Sequence, residues 1–190
     1  IALRYYLYWK QFNKALEAFE FWLKHHKWTR KDWVTPEFHH QIEICHYLIT
    51  LKWLWDFEEQ MLIAALLHDV REDYWIEHFE IEDKFWRQPA ETVERLTKKF
   101  KWTKKAYEDY FEELSKDLIS SVVKWADRVN NAWNMIWVFN KEKQLSYVNE
   151  IEVYFLPMLK QARRNFPNQS HAFFNIETVL AQQVNFVRAM

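Results

Sequence analysis

Apolar residues along this chain recur at spacings of three and four, the period of a helix with one buried face. Ala15, Leu16, Ala18, Phe19, Trp22 and Leu23 make one such face. Pro36 and Glu37 suit the first turn of a following helix that Thr35 could cap, running to about Leu51. Asp56 can cap a third helix beginning at Phe57. Its segment from Met61 to Leu67 is apolar on every side, which predicts a central, buried position. A shorter helix is expected over 77–85, and Pro89 opens another through Val93 and Leu96. Two more read over 104–115 and 118–135, followed by a long amphipathic segment over 141–165. Pro157 should kink or divide that segment, because proline lacks the N–H and its ring clashes with the preceding turn. Pro167 and Asn168 mark a turn before a last helix over 172–188. Period-two alternation is nowhere sustained, and no repeat or linker interrupts the pattern. The expectation is one all-α domain over residues 1–190, a helical bundle of about eight to ten helices.

Composition sharpens this picture. The chain has 190 residues, 12 tryptophans and no glycine, where average usage predicts about 13 glycines. Glycine supplies the left-handed positions of tight turns at no steric cost, so its absence argues against many tight hairpins. It also excludes glycine-rich phosphate loops, the dinucleotide fingerprint and the G-x-S-x-G elbow. The formal net charge of −1 offers no electrostatic footprint for nucleic acid. Cys45 is the single cysteine, which rules out an intrachain disulfide and a CxxC site. Its apolar neighbours Ile42, Ile44 and Leu48 predict an inert buried thiol. No stretch approaches the 18 apolar residues of a membrane span, and no secretory signal is present, so a cytoplasmic location is expected.

One segment carries chemistry. The apolar run 64–67 ends in His68-Asp69-Val70-Arg71-Glu72-Asp73. Helical continuation would place His68 with Glu72, and Asp69 with Asp73, on shared faces four residues apart. Unpartnered ionisable groups beside a core are costly, and a divalent cation would compensate them. The competing reading is a helix end fraying into a charged loop. Two further segments bear on the choice. His39 and His40 lie near the start of the helix after Pro36, and Asp127 stands on an otherwise apolar helix. Histidine and carboxylate ligands converging across helices would form a mixed nitrogen–oxygen site for Mn²⁺, Fe²⁺, Mg²⁺ or Zn²⁺.

These stretches resemble the HD-domain metal-dependent phosphohydrolases, and within them the hydrolase domain of the RelA/SpoT alarmone enzymes. The resemblance is carried by several ordered motifs. They are His26 with Arg30-Lys31-Asp32 and Pro36-x-x-x-His40; Ala65-Leu66-Leu67-His68-Asp69-x-x-Glu72-Asp73; and Lys84-Phe85 with Thr97-Lys98. Lys124-x-Ala126-Asp127-Arg128-x-x-Asn131 and Glu150-x-x-x-Tyr154-x-x-Pro157 complete the series. The match covers roughly residues 12–160, with C-terminal helices over 161–190. It implies an HD-type bundle whose metal, usually Mn²⁺ with other divalent ions possible, is held by His40, His68, Asp69 and Asp127. Glu72 and Asp73 would position and activate water or assist proton transfer. Arg30 would stack on guanine, Lys31 would line the nucleotide pocket, and Asn131 would hydrogen-bond the nucleotide; Lys124 and Arg128 are weaker candidates. The implied reaction is metal-dependent hydrolysis of the 3′-pyrophosphate of guanosine tetra- or pentaphosphate, a small-molecule substrate, with no nucleic-acid or membrane partner. About 30 residues follow the matched region, too few for a second catalytic domain, so a hydrolase-only chain is expected. Two other readings stand beside it: an HD phosphohydrolase for another nucleotide or phosphate ester, and a non-catalytic HD-fold module that binds a nucleotide or a partner.

Departures from the family pattern are local. Glu37 and Gln41 stand where the family usually has Tyr and Pro. His25, His46, His78 and His171 lie outside the motifs and read as structural or exposed. Arg163-Arg164 reads as a solvated helix end. The aromatic run Tyr5-Tyr6-Leu7-Tyr8-Trp9 reads as packing or a homo-oligomer surface. Trp28, Trp33, Trp75 and Trp86 occupy loop positions that glycine would suit. We expect many tryptophans to stand at former glycine positions, through engineering or sequence assignment, with strain wherever the backbone needs a positive φ.

Overall fold

The computed structural model describes residues 2–25, 29–30, 33–51 and 57–190. These residues are almost wholly helical, as the three-to-four spacing predicts, and they group into two compact units, 1–105 and 106–190. No helix among them is long and apolar enough to cross a membrane.

The first unit contains α1 (Ala2–Trp9), α2 (Asn13–His25), α3 (Phe38–Thr50), α4 (Glu58–Leu67), α5 (Val70–Tyr74), α6 (His78–Phe85) and α7 (Arg87–Leu96). Helix α4 is its centre and packs against α2, α3 and α7. Every side chain from Met61 to Leu67 is buried, and each Leu or Ile so placed contributes roughly 1.5–3 kcal/mol. The face of α2 assigned from spacing is present, with Ala15, Ala18, Phe19 and Trp22 buried. Leu23, at its margin, stays exposed. Cys45 is fully buried, and desolvation pushes its thiol pKa up, as expected of an inert core thiol.

Three local expectations differ. Glu37, not Thr35, immediately precedes α3, and no side chain caps that helix. Pro36 instead pairs with Thr29 in an isolated antiparallel bridge. Residues 99–104, expected to lead into a helix, form a short hairpin of β1 (Lys99–Phe100) and β2 (Thr103–Lys104). Lys101 makes the turn at φ 52° in place of glycine. The cap proposed at Asp56 lies outside the described residues.

The second unit contains α8 (Tyr107–Ser115), α9 (Leu118–Val138), α10 (Lys141–Glu150), α11 (Leu156–Asn165) and α12 (Ser170–Ala189). Asp117 caps α9 by accepting from the Ser120 amide at 2.7 Å, and Asn140 caps α10 through the Lys143 amide at 3.0 Å. Helix α9 packs against α8 and α12. The long segment does break near Pro157. A single π-helical turn, Ile151–Phe155, precedes α11, whose first turn holds the proline.

The glycine question has a direct answer in the backbone. Trp33, Trp75 and Trp86 have φ of 61°, 57° and 53°, joined by Gln11 at 57° and Lys101. Trp75 caps α5 in the left-handed region, while Trp86 combines φ 53° with ψ 175°, a region essentially reserved for glycine. Three of the four tryptophans expected at glycine positions therefore stand at one; Trp28 lies outside the described residues.

Candidate metal centre

Helix α4 stops at Leu67, and α5 restarts at Val70 after a two-residue turn. His68 and Asp69 keep right-handed helical backbone angles in that turn and stand just where the buried apolar run ends. His68 is buried, and its Nδ1 lies 2.8 Å from the Ala65 carbonyl oxygen. A carbonyl only accepts, so Nδ1 carries a proton; Nε2 presents its lone pair in the neutral ring and a second N–H in the imidazolium. This is the usual orientation of a ligating histidine, whose other nitrogen donates to a backbone carbonyl.

Nε2 of His68 lies 2.9 Å from Oδ2 of Asp69. A lone pair facing a carboxylate oxygen at that distance requires a cation or proton to hold them together. Bonds of about 2.1 Å at right angles would place two donors about 3.0 Å apart, so the pair fits adjacent positions on one ion. From α3, buried His40 brings its ring to 5.4 Å from that of His68, inclined at 62°. Potential ligand atoms of His40, His68 and Asp69 all lie within 4.8 Å of one another. Two imidazoles and a carboxylate can hold a divalent cation, and this donor set fits one.

Carboxylates crowd the same place. Asp73 on α5 has its pKa pushed up to about 7, first by desolvation and then by Asp69 and Glu37, with His68 acting in the opposite sense. The Asp73 residue as a whole is exposed, so its carboxyl group is the part that this crowded setting desolvates. Glu37 accepts a hydrogen bond from the Tyr74 hydroxyl at 3.0 Å. Tyr74 packs edge-on against Trp22 at 5.5 Å and His25 at 6.1 Å. Glu37 and Tyr74 thus belong to this neighbourhood. The departure of residue 37 from the family pattern was the one sequence signal that could have found them.

Glu72 points elsewhere. Its Oε1 accepts the backbone N–H groups of Lys98 at 2.5 Å and Lys99 at 3.2 Å. Arg30 has its backbone amide bonded to the Thr35 carbonyl at 2.8 Å and accepts from the Trp33 amide at 2.9 Å. Lys31 lies outside the described residues.

The remaining nominated residues are on α9 in the second unit. Asp127 is buried, with Oδ2 at 2.7 Å from Lys124 Nζ and Oδ1 accepting from Asn131 Nδ2 at 2.5 Å. Arg128 is buried, pairs with Glu150 at 3.1 Å, and lies over the Tyr147 and Phe155 rings at 4.8 and 4.1 Å. Of the four proposed ligands, His40, His68 and Asp69 are brought together; Asp127 belongs to the other unit.

No family model matches the sequence. Over 146 residues, 74% of this chain, it is 28% identical to the guanosine-3′,5′-bis(diphosphate) 3′-pyrophosphohydrolase of Aquifex aeolicus (strain VF5), covering 20% of that protein. Over 109 residues, 53% of this chain, it is 34% identical to the probable guanosine-3′,5′-bis(diphosphate) 3′-pyrophosphohydrolase of Synechocystis sp. (strain ATCC 27184 / PCC 6803 / Kazusa), covering 14% of it. The chain therefore matches a fifth or less of the length of these curated relatives. A solved structure, described as a metazoan ortholog of SpoT that hydrolyzes ppGpp and plays a role in starvation responses, superposes with a TM-score of 0.67. That alignment is 22% identical and covers 90% of this chain and 94% of the other. The all-α HD-domain fold read from the motifs is borne out, and so is the resemblance to the SpoT-type hydrolases.

Proposed function

We propose that this chain hydrolyses the 3′-pyrophosphate of guanosine tetra- or pentaphosphate, using a divalent cation, Mn²⁺ in the first instance. The observation that carries this reading is the cluster of His40 on α3 with His68 and Asp69 at the α4–α5 turn, with Asp73 four residues beyond Asp69. Sequence similarity to two 3′-pyrophosphohydrolases supports the substrate class. The bound cation would supply Lewis-acid polarisation of a phosphoryl oxygen and orient water. Water attacks the phosphorus bonded to ribose O3′, the P–O3′ bond breaks, pyrophosphate leaves and O3′ takes up a proton. Asp73 is proposed to receive the proton that water gives up.

The other assignments rest on the motifs. Asp127 is proposed as a further ligand, oriented by Asn131 or releasing it to the nucleotide. Arg30 is proposed to stack on guanine, a role suited to a planar guanidinium, and Lys31 to neutralise phosphate. Lys124 and Arg128 pair with Asp127 and Glu150, which suits them to holding those carboxylates.

One observation favours a second reading, an HD phosphohydrolase for another nucleotide or phosphate ester. Glu37 adds negative charge beside Asp73, where a polyphosphate would meet it. A panel of nucleotides with Mn²⁺, scored for pyrophosphate against inorganic phosphate, decides between the two. Release of pyrophosphate from the guanosine tetraphosphate is expected, and Asp69→Ala should abolish it. Inorganic phosphate alone, or turnover of other nucleotides alone, overturns the first reading.

A further inference from the structure

Helix α5 presents three consecutive charged residues, Arg71, Glu72 and Asp73, and they face different tasks. Asp73 lies in the carboxylate cluster with Asp69 and Glu37. Arg71 is buried, pairs with Glu94 at 2.9 Å and lies over the Phe100 ring at 4.3 Å. Glu72 spends Oε1 on two backbone N–H groups, those of Lys98 and Lys99, at the entry to the hairpin. The Lys105 amide closes the hairpin by donating to the Lys98 carbonyl at 2.9 Å. Lys101 pairs with Glu77, which holds the tip. This gripped segment, residues 98–105, reads Lys-Lys-Phe-Lys-Trp-Thr-Lys-Lys. Two neighbouring side chains of α5 therefore hold one lysine-rich arm, by a carboxylate on its backbone and a guanidinium on its aromatic ring.

We propose that Glu72 is a positioning residue that latches the lysine-rich hairpin to the metal-bearing turn. This rests on the hydrolase reading above. A charged acceptor shared between two amides fixes the start of the arm relative to α5. Protonating Glu72 would weaken both bonds, so the acceptor role and a proton-shuttling role oppose one another. Glutamine keeps a carbonyl oxygen at the same place and can accept both N–H groups, but it cannot carry a proton through the reaction. The two roles therefore separate on one substitution.

The test compares Glu72→Gln, Glu72→Ala and Asp73→Asn in the full chain. Three quantities are read: amide exchange at Lys98 and Lys99, Mn²⁺ binding by calorimetry, and steady-state hydrolysis of the guanosine tetraphosphate. For Glu72→Ala, exchange at both amides should rise about tenfold or more. Its KM should rise about tenfold while kcat falls less, with Mn²⁺ affinity kept within about threefold. Glu72→Gln should restore exchange and KM to within about threefold of the parent. Asp73→Asn should keep amide protection and lose kcat by about a hundredfold or more. Unchanged exchange in Glu72→Ala overturns the latch. So does a Glu72→Gln variant as inactive as Asp73→Asn with its amides still protected, because Glu72 would then be moving the proton. If the parent itself releases no pyrophosphate, the hydrolase reading fails while amide exchange still decides the latch.

Discussion

The two units of this chain handle clustered carboxylates in different ways. In the second unit, Asp127 sits within α9 with its charge already answered, by Lys124 on one oxygen and Asn131 on the other. In the first, Asp69 faces Nε2 of His68, and Asp73 crowds in with Glu37. Regular helix carries the compensated carboxylate; a broken helix carries the crowded ones. The same contrast runs through the backbone, since every described residue with positive φ lies in the first unit. Strain and crowded carboxylates thus gather in the same unit.

One of the two largest expected effects tests that contrast with metal. Mn²⁺ at about a hundred times its Kd should stabilise the protein by about 2.7 kcal/mol, a rise in Tm of roughly 5–10 °C for a chain this long. His68→Ala should abolish the rise, as thermal denaturation with and without Mn²⁺ will show. A rise that survives His68→Ala would mean the cluster is not the binding site.

Buried arginines offer a comparison in which the units should agree. Arg71 pairs with Glu94 over Phe100, and Arg128 pairs with Glu150 over Tyr147 and Phe155. Removing one partner of a buried pair strands the other charge. Arg128→Ala should cost about 3 kcal/mol in urea denaturation. Arg71→Ala should cost less, because Glu94 is 44% exposed against 23% for Glu150 and can turn to water. An equal cost would show that packing on the rings, and not the stranded carboxylate, dominates.

Next in size is the backbone strain. Trp86→Gly should stabilise the chain by about 1 kcal/mol, since the penalty of roughly 1–3 kcal/mol for its conformation outweighs glycine's own entropy cost. Trp33→Gly should gain less, its side chain being 83% exposed and its φ of 61° lying in the ordinary left-handed region. Substituting an exposed tryptophan of α9 such as Trp133 with glycine should instead destabilise, because it sits within a regular helix. Chemical denaturation of the three variants checks the order.

The smallest effect is electrostatic and concerns the metal-free protein. Asp73 has a folded pKa of about 7 against a reference of 3.8, so the folded state holds its proton more tightly. Its contribution is therefore neutral at low pH and increasingly destabilising as pH rises between those values. Asp73→Asn should raise the Tm of the metal-free protein at pH 7.5 and leave it unchanged near pH 4. A lower Tm at pH 7.5 would place the Asp73 carboxylate in a favourable pair.

Much of the helical order was legible from spacing alone. The buried run from Met61 to Leu67 and the break at Pro157 follow from side-chain period and from proline's missing N–H, which act locally. Positive φ at Trp33, Trp75 and Trp86 was also foreseeable, since loop positions that suit glycine leave few alternatives. The hairpin at 99–104 was not, because its short strands leave no period to read, and Lys101 takes the turn without the glycine that usually marks it.

The candidate chemistry divides along the same line. The resemblance carried by residue types and their order nominated His40, His68, Asp69 and Asp127 as ligands, donors of the kind that hard and borderline cations select. Order along the chain carries no distances. Only folding brought His40 of α3 within reach of His68, turned His68 Nε2 toward Asp69, and drew the Glu72 carboxylate onto the hairpin amides. Such contacts join residues far apart in the chain, and they depend on how helices pack and where one of them breaks.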